Sequence, residues 1–211
     1  MDPIAKLISR YPELVTVQNE INQAVDILIE GYSAKKKVLV CGNGGSASDS
    51  EHIVGELMKA FSLERPVPGS FEQALENKYP DDASYLAKHL QGALPAISLV
   101  SQSALISAYA NDVAADMVYA QQVYGYGQPG DVLIALSTSG NSLNVINAVK
   151  IASVMNMRTI GLTNSNGGKL ASLCDICIKV PRVNTPEVQE LHLPIYHALC
   201  ELLEIKFFGQ L

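Results

Sequence analysis

Val38-Leu39-Val40-Cys41-Gly42-Asn43-Gly44-Gly45-Ser46 joins a short apolar run directly to a turn of glycines and a hydroxyl. An apolar run that stops at Gly-Asn-Gly-Gly reads as a buried strand ending where a helix begins. A second stretch repeats the pattern, with Val132-Leu133-Ile134-Ala135-Leu136 running into Ser137-Thr138-Ser139-Gly140-Asn141-Ser142. Glycines let the main chain approach an anion, hydroxyls donate to its oxygens, and the N–H groups opening the next helix carry partial positive charge. Neither turn contains a lysine, so neither is a nucleotide P-loop, and neither has the full spacing of a dinucleotide fingerprint. A sugar phosphate is therefore the leading ligand class.

Apolar runs recur at Lys37 to Cys41, Ala96 to Val100, Val132 to Leu136, Thr159 to Leu162 and Cys177 to Val180, each closed by a turn signal. Strands separated by helical stretches predict an α/β fold, a three-layer αβα sandwich around a central five-stranded parallel sheet. Ligands of such sheets bind beyond the carboxyl ends of the strands, where both Gly/Ser turns fall. Apolar positions at helical spacing (Ile21, Val25, Leu28, Ile29) predict a long N-terminal helix over residues 3–35, with Pro12 breaking its start. An amphipathic helix from Glu187 to Phe208 closes the chain. Residues 66–92, rich in proline and charge, read as an insertion of a loop and short surface helices. No repeat or composition shift marks a second domain, so residues 1–211 are expected to form one.

The 211 residues are 48% hydrophobic and 17% charged, enough for a full core. The net charge of −6 argues against a nucleic-acid partner, so an anion must be held by local donors. No stretch is long enough to span a membrane, and the start Met1-Asp2-Pro3 lacks the marks of a leader, so the expected location is the cytoplasm. Cys174-Asp175-Ile176-Cys177 has no second pair to complete a zinc knuckle. Strand alternation would point its thiols to opposite faces, so these read as ordinary core or strand-end cysteines.

On the helix opening at Ser46, His52 and Glu56 lie four apart and share a face. On the terminal helix Gln189 and His197 are eight apart, along one stripe. Such groups can ligate a divalent metal or transfer protons, but each spacing also suits a surface pair or a polar helix edge. Asn111-Asp112 fits either a helix cap or a contact to sugar hydroxyls. His89 reads as a solvated surface residue, and His192 ranks below His197.

Taken together, Cys41 to Ser46, His52 with Glu56, Asn111-Asp112, Leu136 to Ser142, Gly161-Leu162-Thr163 with Gly167-Gly168-Lys169, and Val188 to His192 with His197 resemble the sugar isomerase (SIS) superfamily, most closely its phosphoheptose isomerases. The likeness is collinear over nearly the whole chain outside the insertion. It implies the SIS fold and conversion of sedoheptulose 7-phosphate into a heptose 7-phosphate through an enediol, for nucleotide-activated heptose. It further implies Glu56 and His197 as acid and base, and a Zn2+ site of His52, Glu56, Gln189 and His197. A metal-bound group is a poorer base, so both roles require ligand exchange or a division between states. The resemblance assigns phosphate and sugar contacts to Asn43, Gly44, Gly45, Ser46, Asn111, Asp112, Ser137, Thr138, Ser139, Ser142 and Gln189. It also implies a homotetramer with shared sites, and the apolar stripes of the N-terminal and terminal helices are the expected packing surfaces.

Departures from the family pattern are Ala60, where many members carry a basic residue, the segment Thr185-Pro186-Glu187, and the insertion. The first implies that phosphate neutralisation is either weaker or reassigned to Lys59. Two alternatives stay open: a non-catalytic phosphosugar-binding SIS module, of the replication-initiator partner or sensor type, and an isomerase of another ketose phosphate. Retention of Glu56 and His197 favours the isomerase over the binding module.

Overall fold

A computed structural model describes residues 2–209. Five parallel strands form one sheet in the order β2-β1-β3-β4-β5, with β1 Val38–Cys41, β2 Ala96–Ser98, β3 Val132–Leu136, β4 Arg158–Thr163 and β5 Ile176–Lys179. All four pairings are parallel, and β1 aligns Val38 with Val132 and Cys41 with Ala135. Because side chains alternate along a strand, Val38 and Val40 enter one core with Ile134, Leu136, Ile160 and Leu162. Leu39 and Cys41 enter a second core with Leu133 and Ala135. A sheet buried on both faces needs helices on both, which is why its strands are apolar without a polar alternation.

The helices α1 Pro3–Arg10, α2 Gln18–Ser33, α3 Gly45–Met58 and α10 Thr185–Phe208 belong to the first face. The second is covered by α7 Val118–Tyr126 and α8 Leu143–Val154. Between α3 and β2 lie α4 Gly69–Lys78 and α5 Ala83–His89, the surface helices expected of the 66–92 segment. Helix α6 Ser103–Tyr109 precedes α7, and the four-residue α9 Leu170–Leu173 precedes β5.

Two expectations need correction. The N-terminal helix over 3–35 is two helices separated by a 3-10 turn, Pro12–Val17. Tyr11 leaves helical geometry (φ −131°, ψ 74°), as a residue preceding proline is forced to do. The apolar stripes of α1, α2 and α10 pack largely inside the chain, where Ile4, Leu7, Ile21, Leu28, Ile195 and Leu199 share the first core. Leu193 and Ile205 of α10 stay exposed. The thiols of Cys174 and Cys177 do not diverge. A methyl on Gly161 would lie 3.0 Å from one sulfur and 3.1 Å from the other. Cys174 ends α9 and precedes the strand, so strand alternation does not govern it. Both cysteines are free, as the reading of ordinary strand-end residues expected.

Candidate functional site

Sheet order places the site. The chain leaves β1 towards β2 on one side and returns to β3 on the other, so a crevice opens between the carboxyl ends of β1 and β3. Both Gly/Ser turns meet there. Gly44 adopts φ 57° and ψ −121°, a region closed to side chains with a Cβ, and this turn launches α3. Gly140 has φ 66° and is pressed against the backbone of Gly167. The N-termini of α3 and α8, neither of them capped by the side chain of its N-cap residue, thus face the same crevice.

Hydrogen bonds hold the two turns in register. The Asn43 and Asn144 side-chain amides pair reciprocally at 2.9 Å in both directions. Tyr119 donates its hydroxyl to the Gly42 carbonyl at 2.7 Å and lies 3.1 Å from Asn43 Oδ1. Ser137 Oγ bonds Ser142 Oγ at 3.1 Å and accepts from the Ser142 N–H at 3.4 Å. Ser46 and Ser137 are buried, Thr138 and Ser142 are partly covered, and Ser139 is exposed. Thr138 Oγ1 is 3.5 Å from Thr185 Oγ1, which brings the start of α10 to the same crevice. Asn144 and Tyr119 carry no signal in the sequence, and Thr185 stands out there only as part of a departure from the family pattern.

Helices α3 and α10 lie side by side and run in the same direction. Gln189 packs its amide against the Cα of Gly45, in space that a Cβ there would fill. Seven residues along α3, about 10 Å, His52 meets His197. The Nε2 atoms of the two rings are 3.4 Å apart, and His52 Nε2 lies 3.1 Å from Glu56 Oε1. The structure therefore gathers His52, Glu56 and His197 at one end of the helix pair and holds Gln189 at the other. Among the described residues, no group of three or more His, Cys, Asp and Glu side chains is arranged to hold a metal ion as it stands. Glu56 is buried, and its Oε2 has no hydrogen-bond partner. Burial and the neighbouring His52 push the His197 imidazole below its ordinary range, against the pull of Glu56 and Glu201.

Behind His52 stands a support absent from the sequence reading. Tyr196 Oη lies 3.1 Å from Asp49 Oδ1 and 3.1 Å from His52 Nδ1. With Asp49 ionised, its oxygen only accepts, so Tyr196 donates to Asp49 and accepts from His52 Nδ1–H. His52 Nε2 is then a bare lone pair aimed at Glu56 and His197. Two lone-pair bearers at 3.1 Å repel unless a cation or a proton lies between them.

Asn111 and Asp112 are exposed in a π-helical turn, Ala110–Ala114, where Asn111 donates to Asp112 Oδ1 at 2.9 Å. Asp112 therefore caps no helix. Lys59 is not placed to neutralise a phosphate: it lies thirteen residues, about 20 Å, beyond Ser46 on α3. Its Nζ is 3.5 Å from Glu56 Oε2. His89 is exposed and bonds the Tyr85 carbonyl, whereas His192 is fully buried. On its outer side His197 borders a cavity of about 320 Å³ lined also by Lys6, Arg10, Phe61 and Glu201.

A parallel sheet with two anion-binding turns at its switch point, and a carboxylate and imidazoles one helix-length away, defines a phosphosugar-handling domain, and the chain belongs to the SIS domain family, whose model matches residues 4–78 and 82–164. Its relatives narrow the class. It is 37% identical to the phosphoheptose isomerase of Rhodospirillum rubrum over 184 residues, covering 87% of this chain and 84% of that protein. With the phosphoheptose isomerase of Akkermansia muciniphila identity is 32% over 206 residues, 98% of this chain and 95% of the relative. Among solved structures, the phosphoheptose isomerase of Neisseria gonorrhoeae superposes with a TM-score of 0.74 at 31% identity, covering 95% of this chain and 94% of that one.

Proposed function

We propose that this chain is an aldose–ketose isomerase that converts sedoheptulose 7-phosphate into D-glycero-D-manno-heptose 7-phosphate. The observation that carries the reading is the juxtaposition of Glu56 and His197, through His52, about 10 Å along α3 from the crevice of the two Gly/Ser turns. A seven-carbon sugar phosphate has that reach between its phosphorus and C1. The phosphate takes the N–H groups opening α3 and α8 and the hydroxyls of Ser46, Ser137, Thr138, Ser139 and Ser142. Asn43 and Gln189 take sugar hydroxyls, as do Asn111 and Asp112 where a neighbouring copy brings them to the site.

The chemistry moves one proton from C1 to C2 and one between the two oxygens. Glu56 removes the C1 proton as His197 donates to O2, giving the neutral enediol. Glu56 then returns its proton to C2 while His197 recovers one from O1, leaving the C1 aldehyde and both side chains as they began. Two features support these roles. Glu56 Oε2 has no hydrogen-bond partner and only the Lys59 ammonium at 3.5 Å, and His197, held below its ordinary pKa range by burial, is a neutral imidazole that both donates and accepts at pH 7.

A zinc ion is part of the proposal, held by His52, Glu56 and His197; Gln189, which the resemblance assigns as the fourth donor, packs on Gly45 about 10 Å away and does not reach that cluster within one chain. Tetrahedral zinc with bonds of about 2.0–2.1 Å keeps its ligand atoms about 3.3 Å apart. The 3.4 Å and 3.1 Å separations around His52 Nε2 are close to that edge. Such an ion would supply Lewis-acid polarisation of the substrate oxygens.

The proposal extends to a single SIS domain acting in the cytoplasm as a homotetramer. Among the described residues no helix is long and apolar enough to cross a membrane. Helix α4 buries none of its residues, and Phe71, Tyr79, Tyr85 and Val113 stand exposed, which supports burial against further copies. Incubating the protein with sedoheptulose 7-phosphate, after chelation and again after zinc addition, tests the reading. Aldose phosphate that appears, falls with chelation and returns with zinc supports it. Phosphosugar binding without product under any metal condition would leave a binding module.

A further inference from the structure

Arg65 and Glu204 form a fully buried ion pair, Nε to Oε1 at 2.7 Å, with neither side chain exposed to solvent. Charges this deep are costly and persist only where they are well paired. Here each guanidinium nitrogen and both carboxylate oxygens have a partner. Glu204 accepts from the N–H groups of Phe61, Ser62 and Leu63 at 2.8, 2.7 and 3.0 Å. Arg65 sends Nη1 to the Leu57 carbonyl at 2.9 Å and Nη2 to the Glu56 carbonyl at 3.0 Å. The Phe208 ring covers the guanidinium at 4.8 Å.

The Glu56 carbonyl needs such a partner because α3 stops abruptly. Lys59 is extended (φ −135°, ψ 171°), and the Ala60 N–H that would have closed the next helical bond donates to Gln91 Oε1 instead. The last carbonyls of a helix carry partial negative charge, and a guanidinium fork suits two of them at once. On the other side, Glu204 lies seven residues after His197 on α10, two turns further along nearly the same face. One buried contact thus joins the backbone of Glu56 to the helix that carries His197.

We propose that Arg65 and Glu204 are positioning residues that set the separation of Glu56 and His197 across α3 and α10. Neither touches the substrate. They fix the frame in which one carboxylate and one imidazole reach adjacent carbons and oxygens of the same sugar. The inference rests on the isomerase reading, and the two can fail separately.

The test measures kcat and KM for sedoheptulose 7-phosphate in the parent protein, in Arg65→Lys, and in the double variant Arg65→Met with Glu204→Gln. Lysine keeps the charge but cannot reach Glu204 and both carbonyls together. The double variant leaves no buried charge unpaired, and its glutamine oxygen still accepts from the 61–63 backbone. A misplacement near 1 Å costs up to about 100-fold in rate, so both variants are expected to fold, to lose about tenfold or more in kcat and to hold KM within about twofold. Binding of inorganic phosphate at the far end of α3 should be unchanged. Folded variants with parent kcat would overturn the inference, as would failure of both to fold, which assigns the pair to stability alone. No turnover by the parent protein would instead sink the isomerase reading.

Discussion

Replacing Tyr196 by Phe removes a single oxygen, and the structure says what that oxygen holds. Burial, reinforced by Asp49, raises the Tyr196 hydroxyl far above its ordinary range, so it stays protonated and donates to Asp49 Oδ1 at 3.1 Å. It accepts from His52 Nδ1 at the same distance. Asp49 Oδ2 already lacks a partner, so the variant strips the carboxylate of its remaining side-chain donor and leaves the His52 N–H without an acceptor. A neutral hydrogen bond is worth about 0.5–1.5 kcal/mol net and one to a charge about 1.5–3 kcal/mol. The two together come to about 2–4.5 kcal/mol, and the half-buried Asp49 recovers part of this from water, leaving about 2 kcal/mol. In the folded protein the loss also frees the His52 ring to change tautomer, and removing such an outer partner weakens metal binding about 10- to 100-fold. Urea unfolding of the metal-free protein measures the first effect and competition against a chromophoric chelator the second. Nitrogen NMR of the His52 ring reports the tautomer directly. An unchanged ring tautomer with zinc affinity within twofold of the parent would refute the relay from Asp49 through Tyr196 to His52.

Three further outcomes follow from the geometry. Glu56→Gln and His197→Asn should each abolish turnover while thermal unfolding and phosphate binding stay near the parent; parent-level activity in either removes that residue from the proton transfers. Gly45→Ala pushes a methyl into the Gln189 amide, so it should raise KM as Gln189→Ala does, and the double variant should be no worse than the stronger single one. Additive effects would show that the two do not act through one contact. His192 is driven by burial down to about 4 from an ordinary 6.5. Its neutral form therefore contributes stability that is complete above pH 6.5 and lost as pH falls towards 4, about 3 kcal/mol in all. Unfolding of His192→Leu against the parent across that window should show the parent's extra acid sensitivity, and parallel pH profiles would contradict it.

Local pattern made much of the fold legible. Each strand is a run of apolar residues stopped by a turn signal, and β3 was bounded to the residue because Asp131 and Ser137 flank five apolar positions. The two Gly/Ser turns and the His52/Glu56 spacing were readable because the chemistry lies within one turn or one helical step. What stayed hidden is contact across long sequence distance. Asn43 meets Asn144 101 residues away, and Arg65 meets Glu204 139 residues away; neither carries a local signal. Tyr196 sits in an apolar stripe where its ring is ordinary core, and only its neighbours give the hydroxyl a role. Gln189 and His197 share a stripe, but α3 lies alongside it, so one meets Gly45 and the other meets His52. Lys59 follows Glu56 closely in sequence, yet a 14-residue helix carries it to the opposite end from the phosphate turn.

The central claim is that Glu56 carries a proton between C1 and C2 of a ketose phosphate, and solvent isotope entry tests it most directly. Sedoheptulose 7-phosphate incubated with the zinc-loaded protein in deuterium oxide, followed by NMR, should yield aldose phosphate with deuterium at C2, and the Glu56→Gln variant should give neither product nor label. Aldose formed by the Gln variant at the parent rate, or no aldose and no label from the parent protein, would contradict the account.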